Sequence, residues 1–286
     1  MAKYGMLIDS TLCIGCRGCS VACKQWNDLP GTKTRNTGTY QNPPALSAYT
    51  WTNIEYREVE AGDRLVWAFL KRACMHCEHP ACVSVCPVQA LHKLETGPVV
   101  YEANRCIGCR YCMMACPFGI PKVDLNQVLP VISKCNFCAD RVSNGLPPAC
   151  AKTCPPGAIR FGERDQLIVE AEARIAKNPA KYVNHVYGKH EAGGTSILYL
   201  SAIPFDQLGL PDVGTESVPA LSEAMALTGT PTALATVAAA LLGAFWVSRR
   251  RVELAGQQQT ADLFSRRRVD SEGQQQTADQ EKEAKQ

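Results

Sequence analysis

The chain has 286 residues, of which 30 are basic and 27 acidic, so its formal net charge is +3. Its mixture of apolar and charged residues is that of a folded protein with room for one large or two small domains. This near-balance of charge excludes the electrostatic footprint of a nucleic-acid-binding protein, and we expect no nucleic-acid partner.

Sixteen cysteines set the composition apart. All of them lie between Cys13 and Cys154, in four groups of four, and residues 155–286 contain none. Disulfide scaffolds are usually short secreted chains, and neighbouring C-x2-C thiols on tight loops would need partners elsewhere. We therefore interpret the cysteines as thiolate ligands of metal.

In chain order, GMLID at residues 5–9 predicts a short strand that leads into the first group, and VVYEANRC at 99–106 does the same for the third. Both groups have the spacing C-x2-C-x2-C-x3-C of bacterial ferredoxins. The other two loosen this spacing to x2, x4, x3 and to x2, x11, x3. The four groups are Cys13, Cys16, Cys19 and Cys23; Cys74, Cys77, Cys82 and Cys86; Cys106, Cys109, Cys112 and Cys116; and Cys135, Cys138, Cys150 and Cys154.

This spacing suits 4Fe-4S cubanes. Three cysteines in one tight loop can reach three irons, while the fourth, at the start of a helix, points toward a neighbouring cluster. Sixteen thiolates fill four cubanes, so His76 and His79 are not needed as ligands and are left to solvent-facing or packing roles. Structural zinc is the alternative. Zinc sites normally come from two separated cysteine pairs, however, and such a site does not explain a third cysteine at x2 and a fourth at x3 in the same group.

The segments around these groups have their own patterns. Residues 24–73 predict an inserted loop and then a hairpin formed by WTNIEYREVE and RLVWAFLKRA. Apolar residues at helical spacing predict an amphipathic helix from Arg164 to Lys177, GGTSILYLSAIP predicts a strand, and 204–224 reads as a connecting loop. We expect a cluster domain at 1–162 and an extension and linker at 163–224.

Residues 225–247 contain no charge, and 23 residues can cross a bilayer core of about 30 Å. A single transmembrane helix is predicted there, with a buried Ala-rich helix as the alternative. Lys and Arg are absent from 190–248, and Arg249, Arg250 and Arg251 follow at once, so the positive-inside rule predicts a periplasmic cluster domain and a cytoplasmic C-terminus at the inner membrane. The polar tail at 248–286, with near-duplicate segments at 249–262 and 266–279, is predicted to be disordered.

The four groups, in this order and with these gaps, resemble the iron-sulfur subunits of the dimethyl sulfoxide reductase superfamily over residues 5 to about 162. Within it, CRGCSVACKQWNDLPG and NTGTYQNPPALSAYTW resemble the beta subunits of membrane-bound formate dehydrogenases. The resemblance implies an α+β fold of two ferredoxin-like halves, in which the first group pairs with the fourth and the second with the third. The implied ligands are Cys13, Cys16, Cys19 and Cys154 for cluster 1; Cys135, Cys138, Cys150 and Cys23 for cluster 2; Cys74, Cys77, Cys82 and Cys116 for cluster 3; and Cys106, Cys109, Cys112 and Cys86 for cluster 4.

The resemblance also implies a non-catalytic subunit that relays electrons from a molybdenum- or tungsten-pterin formate dehydrogenase subunit to a membrane cytochrome b and quinone. The chain itself has no acid, base or nucleophile arrangement and no Gly-rich nucleotide loop. The alternative partners are a periplasmic hydrogenase or a thiosulfate, polysulfide or dimethyl sulfoxide reductase. For Lys122, after CPFGIP, an ordinary surface or subunit contact is favoured over a role in tuning the clusters.

Overall fold

A computed structural model describes residues 2–61, 64–125 and 132–283. The chain divides into two units, Met1–Leu221 and Ser222–Gln286. The first unit mixes short strands and short helices, which confirms the predicted α+β class. Its elements are, in chain order, β1 (Tyr4–Asp9), α1 (Gly18–Trp26), β2 (Asn53–Ala61), β3 (Arg64–Arg72), α2 (Ala81–Ser84), β4 (Leu91–Lys93), β5 (Val99–Tyr101), α3 (Tyr111–Ala115), β6 (Lys122–Val123), β7 (Ile132–Ser133), α4 (Ala139–Ser143), α5 (Ala149–Lys152), β8 (Ile159–Glu163), α6 (Arg164–Lys177), β9 (Ile197–Leu200) and α7 (Phe205–Leu208).

Strand β1 is the centre of a three-stranded sheet, antiparallel to β8 and parallel to β9. Its residues are buried on both faces, as a central strand requires. A Cβ added at Gly5 would lie 2.7 Å from the carbonyl oxygen of Ser196, so the close approach of this backbone needs glycine. The predicted strand at 5–9 therefore delivers the first cysteine group from the middle of the sheet.

Helix α6 covers one face of this sheet and has the predicted bounds. Its apolar stripe, Leu167, Ala171 and Ile175, packs against Leu7 and against residues of β9. The spacing of four residues places these side chains on one side of the helix. Helix and sheet together bury the apolar layer that supports the start of the chain.

A buried carboxylate ties α6 to the end of β1. Asp9 is fully buried and accepts hydrogen bonds from Arg174 at 2.9 Å, Tyr182 at 2.9 Å and the Thr11 hydroxyl at 2.6 Å. These charged and hydroxyl donors satisfy a group that would otherwise be costly to bury. The segment that enters the first cysteine loop is therefore fixed by hydrogen bonds as well as by packing.

The predicted hairpin in the insertion is present as β2 and β3, which pair from Asn53 with Arg72 to Ala61 with Arg64. Its turn at 62–63 lies outside the described residues. Two further two-stranded sheets, β4 with β5 and β6 with β7, accompany the second and third cysteine groups.

The linker prediction at 204–224 was partly wrong, because α7 lies within it. Pro204 precedes this one-turn helix, and Gly209 ends it in the left-handed conformation at φ 101°. Phe205 and Leu208 are buried. Four residues are too few for a helical period to be visible in a sequence, and tertiary burial forms the turn.

The second unit is one helical run. It comprises part of α8 (Ala220–Ala224), a π-helical stretch at Met225–Gly229 and α9 (Thr230–Glu283). The stretch Ser222–Arg268 is long and apolar enough to cross a membrane.

The prediction of a disordered tail at 248–286 was wrong for its described residues, which are helical through Glu283. After Ser248 the sequence has no proline and is rich in Ala, Gln, Glu and Arg, which have high helix propensity. The disorder prediction had relied on the polarity of these residues instead. Residues 284–286 of that prediction lie outside the described residues.

Candidate metal centres

The hairpin and the inserted loop hold the first cysteine loop. Gly15 has φ 67°, and a Cβ there would lie 3.0 Å from the Phe69 ring and 3.1 Å from the Tyr56 ring. The Tyr56 hydroxyl donates to the Gly15 carbonyl at 2.5 Å. Arg17 lies over the Tyr56 ring and donates to the backbone carbonyls of Tyr40 and Asn42. The insertion therefore fixes the backbone on which three cysteines stand.

Cys154, from the fourth group, joins three thiols of the first group around one cavity. Burial raises the pKa of Cys13, and the nearby thiolates of Cys154 and Cys16 add to the rise. Burial likewise raises the pKa of Cys19 to about 12. We call these four thiols set 1: Cys13, Cys16, Cys19 and Cys154.

Cys23, on α1, lies among the thiols of the fourth group. Burial raises the pKa of Cys135 well above its ordinary value, and among the charges that add to this rise Cys23 contributes most. Burial raises the pKa of Cys138 to about 11, with contributions from Cys150 and Cys23. Set 2 consists of Cys23, Cys135, Cys138 and Cys150.

Cys116, from the third group, completes the second group. Burial raises the pKa of Cys77 well above its ordinary value, and the thiolates of Cys74, Cys116 and Cys82 raise it further. The pKa of Cys82 is raised to about 12, mainly by burial and also by Cys74 and Cys116. Set 3 consists of Cys74, Cys77, Cys82 and Cys116.

Cys86, from the second group, completes the third group around another cavity. Burial raises the pKa of Cys112 to about 11, and Cys106, Cys109 and Cys86 contribute to the rise. Set 4 consists of Cys86, Cys106, Cys109 and Cys112. The structure therefore brings together, four by four, the thiols that the resemblance assigns to each cluster.

Set 1 is next to set 2, set 2 is next to set 3, and set 3 is next to set 4. The thiolates of sets 1 and 2 interact through Cys19 and Cys150, since Cys150 adds to the rise that burial causes in the pKa of Cys19. In the same way Cys74 of set 3 acts on Cys135 of set 2. Set 4 acts on set 3 through Cys112 and Cys82. Cysteines from distant parts of the chain thus form a row of four sites.

The sets suit clusters better than single ions. In the described parts of the chain, no three His, Cys, Asp or Glu side chains converge closely enough to hold one metal ion. The thiols of set 1 and of set 4 each line a cavity instead, as the ligands of a cubane do, since each thiolate of a cubane binds a different iron. Backbone amides also donate toward sulfur, from Phe137 to Cys135 at 3.4 Å and from Ala90 to Cys86 at 3.3 Å.

Burial of these thiols has a chemical consequence. Metal ligation requires the thiolate, and most of the buried thiols have a raised pKa, so they hold their protons more firmly than free cysteine does. Binding of iron must therefore release these protons, and the metal-sulfur bonds must offset the desolvation of the thiolates.

Two family models match the chain, both described as 4Fe-4S dicluster domains, at residues 12–90 and 65–164. A relative from Nitratidesulfovibrio vulgaris is 38% identical over 261 residues, which are 90% of this chain and 70% of that protein. The nitrate-inducible formate dehydrogenase iron-sulfur subunit of Escherichia coli is 43% identical over 202 residues, 70% of this chain and 68% of that protein. This chain belongs to the family of formate dehydrogenase iron-sulfur subunits.

The iron-sulfur subunit also resembles the hydrogenase-2 operon protein HybA of Escherichia coli O157:H7, at 39% identity over 256 residues, 77% of this chain and 76% of that protein. The two dicluster matches together contain all sixteen cysteines. The predicted 4Fe-4S chemistry and electron-transfer role are thereby confirmed.

The two histidines near the second group differ in environment. His79 is exposed, whereas His76 is fully buried, accepts a hydrogen bond from the Val99 N–H at 3.0 Å and contacts the Phe137 ring. Burial, followed by the charges of Lys134 and other lysines, lowers the pKa of His76 well below its ordinary value. His76 is therefore a neutral residue of the core.

The lysines beside the thiols are ones that the sequence did not single out. Lys122 lies on β6 opposite Ser133 and is only partly buried. Two other lysines, Lys71 and Lys134, are almost fully buried beside the cysteine sets. Their only signal in the sequence is a position shortly before a cysteine group, three residues before Cys74 for Lys71 and one before Cys135 for Lys134, which does not reveal burial.

Proposed function

We propose that this iron-sulfur subunit is a non-catalytic electron relay that holds four 4Fe-4S clusters, each through one thiol set. The ligands are Cys13, Cys16, Cys19 and Cys154 for cluster 1; Cys23, Cys135, Cys138 and Cys150 for cluster 2; Cys74, Cys77, Cys82 and Cys116 for cluster 3; and Cys86, Cys106, Cys109 and Cys112 for cluster 4. Sets 1 and 4 stand at the two ends of the row.

The single observation that supports this proposal best is the exchange of the fourth cysteine between groups. Cys154 lies with the first group and Cys23 with the fourth, while Cys116 lies with the second and Cys86 with the third. Such an exchange is the hallmark of two-cluster ferredoxins, and this chain contains it twice. When bound, each cluster supplies a centre that accepts and passes on one electron.

The residues of the chain hold, order and shield these centres. Apolar residues such as Ile8 and Ile54 line the cavity of set 1 and limit the access of water. Cys16 and Cys109 are the two exposed thiols, one in each terminal set. The chain therefore offers an exposed edge at both ends of the row and enclosed sites between them, as a relay between two partners requires.

The test is purification of the complex from membranes without oxygen, followed by quantification of iron and zinc and mass spectrometry of the subunits. We expect about sixteen irons per chain, four for each set. Stoichiometric zinc with little iron would contradict the proposal.

The partners follow from the family. We propose that a molybdenum- or tungsten-pterin formate dehydrogenase subunit delivers the electrons and that a membrane cytochrome b passes them to quinone. A second candidate, a hydrogenase as the catalytic partner, is favoured by the 39% identity to HybA. Formate-dependent and hydrogen-dependent reduction of a quinone analogue by the purified complex would separate the two.

We also propose that residues 225–247 span the inner membrane once, with the cluster domain in the periplasm. Support comes from the uncharged stretch, which is followed immediately by three arginines. A fluorescent protein that matures only in the cytoplasm, fused after Gln286, is expected to fluoresce. A fusion protein of normal abundance that does not fluoresce would contradict the proposed orientation.

A further inference from the structure

Lys71 is a cation in the core of the cluster domain. It lies on β3 opposite Ile54, is 2% exposed, and its backbone carbonyl accepts a hydrogen bond from the Tyr199 hydroxyl at 2.7 Å. Its side chain lines the cavity of set 1 together with Cys13 and Cys19. A lysine is rarely buried to this extent unless a negative group accompanies it.

The charge of Lys71 acts on thiols of two different sets. Burial raises the pKa of Cys13 and Cys19 in set 1 and of Cys23 and Cys135 in set 2, and Lys71 opposes that rise in all four. Conversely, burial lowers the pKa of Lys71, but Cys150 and its neighbours raise it above the ordinary value. Lys71 therefore lines the cavity of set 1 and its charge acts on thiols of both set 1 and set 2.

Carboxylates do not provide the counter-charge. Among the salt bridges between described residues, none includes Lys71, whereas the adjacent Arg72 pairs with Glu55 at 3.0 Å. Lys93, another lysine near the thiols, pairs with Glu78 at 3.3 Å. Lys134 donates to the carbonyls of Val99 and Cys135. Lys71 thus forms no salt bridge among the described residues, and the cysteine sets provide its negative neighbours.

We propose that the Lys71 ammonium is a shared counter-charge of clusters 1 and 2 and raises the reduction potential of both. Each of these clusters becomes more negative by one charge when it accepts an electron, and a fixed positive charge in a medium of low dielectric constant stabilises that state. The lysine remains protonated throughout, so no proton accompanies the electron. This inference rests on the proposed function.

The decisive experiment is a redox titration of the purified holo-complex, with the reduced clusters followed by electron paramagnetic resonance. In Lys71→Met we expect two of the four midpoint potentials to fall. Each fall should correspond to at least a tenfold weaker reduction equilibrium, which is about 59 mV for a one-electron couple. The other two potentials should not move. Four unchanged potentials in a fully loaded variant would overturn the inference.

Lys152→Met is the matched control, because Lys152 lies two residues from both Cys150 and Cys154 but is exposed, and solvent screens its charge. We expect its four potentials to equal those of the wild type; a fall as large as that in Lys71→Met would overturn a specific role for Lys71. Lys71→Arg should preserve the potentials because it keeps the charge.

Iron content separates failure of the proposed function from failure of the proposed role of Lys71. A wild-type chain without about sixteen irons would contradict the proposed function itself. A loaded Lys71→Met variant with wild-type potentials would contradict only the role of Lys71. If Lys71→Met fails to load, Lys71→Arg decides: wild-type potentials support the shared counter-charge, and a tenfold weaker reduction of clusters 1 and 2 overturns it.

Discussion

The two halves of the cluster domain enclose their cysteines to different extents. In the first half, formed by sets 1 and 2, five of eight cysteines are buried, compared with two of eight in the second half, formed by sets 3 and 4. The first half has a three-stranded sheet, a long hairpin and most of a large apolar core, into which Cys74, Cys77 and Cys116 of set 3 also pack. The second half has a small core of Leu91, Val99, Cys112 and Ile132. We therefore expect apolar packing to contribute more to the stability of the first half, and bound metal to contribute more to that of the second.

The largest effect should come from removing one ligand in each half. Cys135→Ser leaves a hydroxyl in the buried core of the first half, so we expect it to reduce the yield of complex and to lose more than one cluster. Cys109→Ser changes an exposed thiol and should lose about four of about sixteen irons. Iron per chain and the yield of complex measure both effects. Equal losses of iron and of yield in the two variants would contradict the expected difference between the halves.

Truncation of a core leucine tests packing without touching a ligand. Leu91→Ala in the second half and Leu7→Ala in the first should each lower the free energy of unfolding by about 2–5 kcal/mol. Because the core around Leu91 is small, we expect Leu91→Ala to release iron at the lower temperature. The visible absorbance of the clusters during heating reports this release. Release of iron at a lower temperature from Leu7→Ala than from Leu91→Ala would contradict the expectation that the second half depends more on metal.

The hydrogen bonds of Asp9 contribute to the rigidity of the first half. Asp9→Asn weakens its contacts with Arg174 and Tyr182, and we expect a loss of about 2 kcal/mol in the free energy of unfolding. Asp165→Asn is the control, because its carboxylate is exposed on α6. Denaturant titration compares the two variants, and equal stability would show that the network around Asp9 is dispensable.

The smallest effect concerns Tyr199 in the first half. Tyr199→Phe removes the hydrogen bond to the Lys71 carbonyl and should cost about 1 kcal/mol. Burial raises the pKa of Tyr199 to about 12 from an ordinary 10, so the folded chain keeps the phenol protonated where the unfolded chain ionises. Stability should therefore fall as the pH rises from 10 toward 12, and less steeply in Tyr199→Phe. Parallel slopes in unfolding measurements at pH 9–11 would contradict this role.

Much of the fold could be predicted because its signals are local. The strand at 5–9, the hairpin and the helix Arg164–Lys177 show their periods within a few residues of sequence. The one-turn helix α7 is too short to show a period. The tail was predicted to be disordered because its polarity outweighed its helix-forming composition.

The sequence by itself determined the ligand type, the number of thiols and the spacing of each cysteine group. In the first and third groups, three cysteines within seven residues must lie close together. The resemblance suggested which distant cysteine completes each set, and the tertiary structure placed Cys154, Cys23, Cys116 and Cys86 there. Only the tertiary structure decided that Lys71, and not Lys122, lies among the thiols. Burial of a charge depends on elements far apart in the chain, since β9 and two cysteine groups close around a lysine on β3.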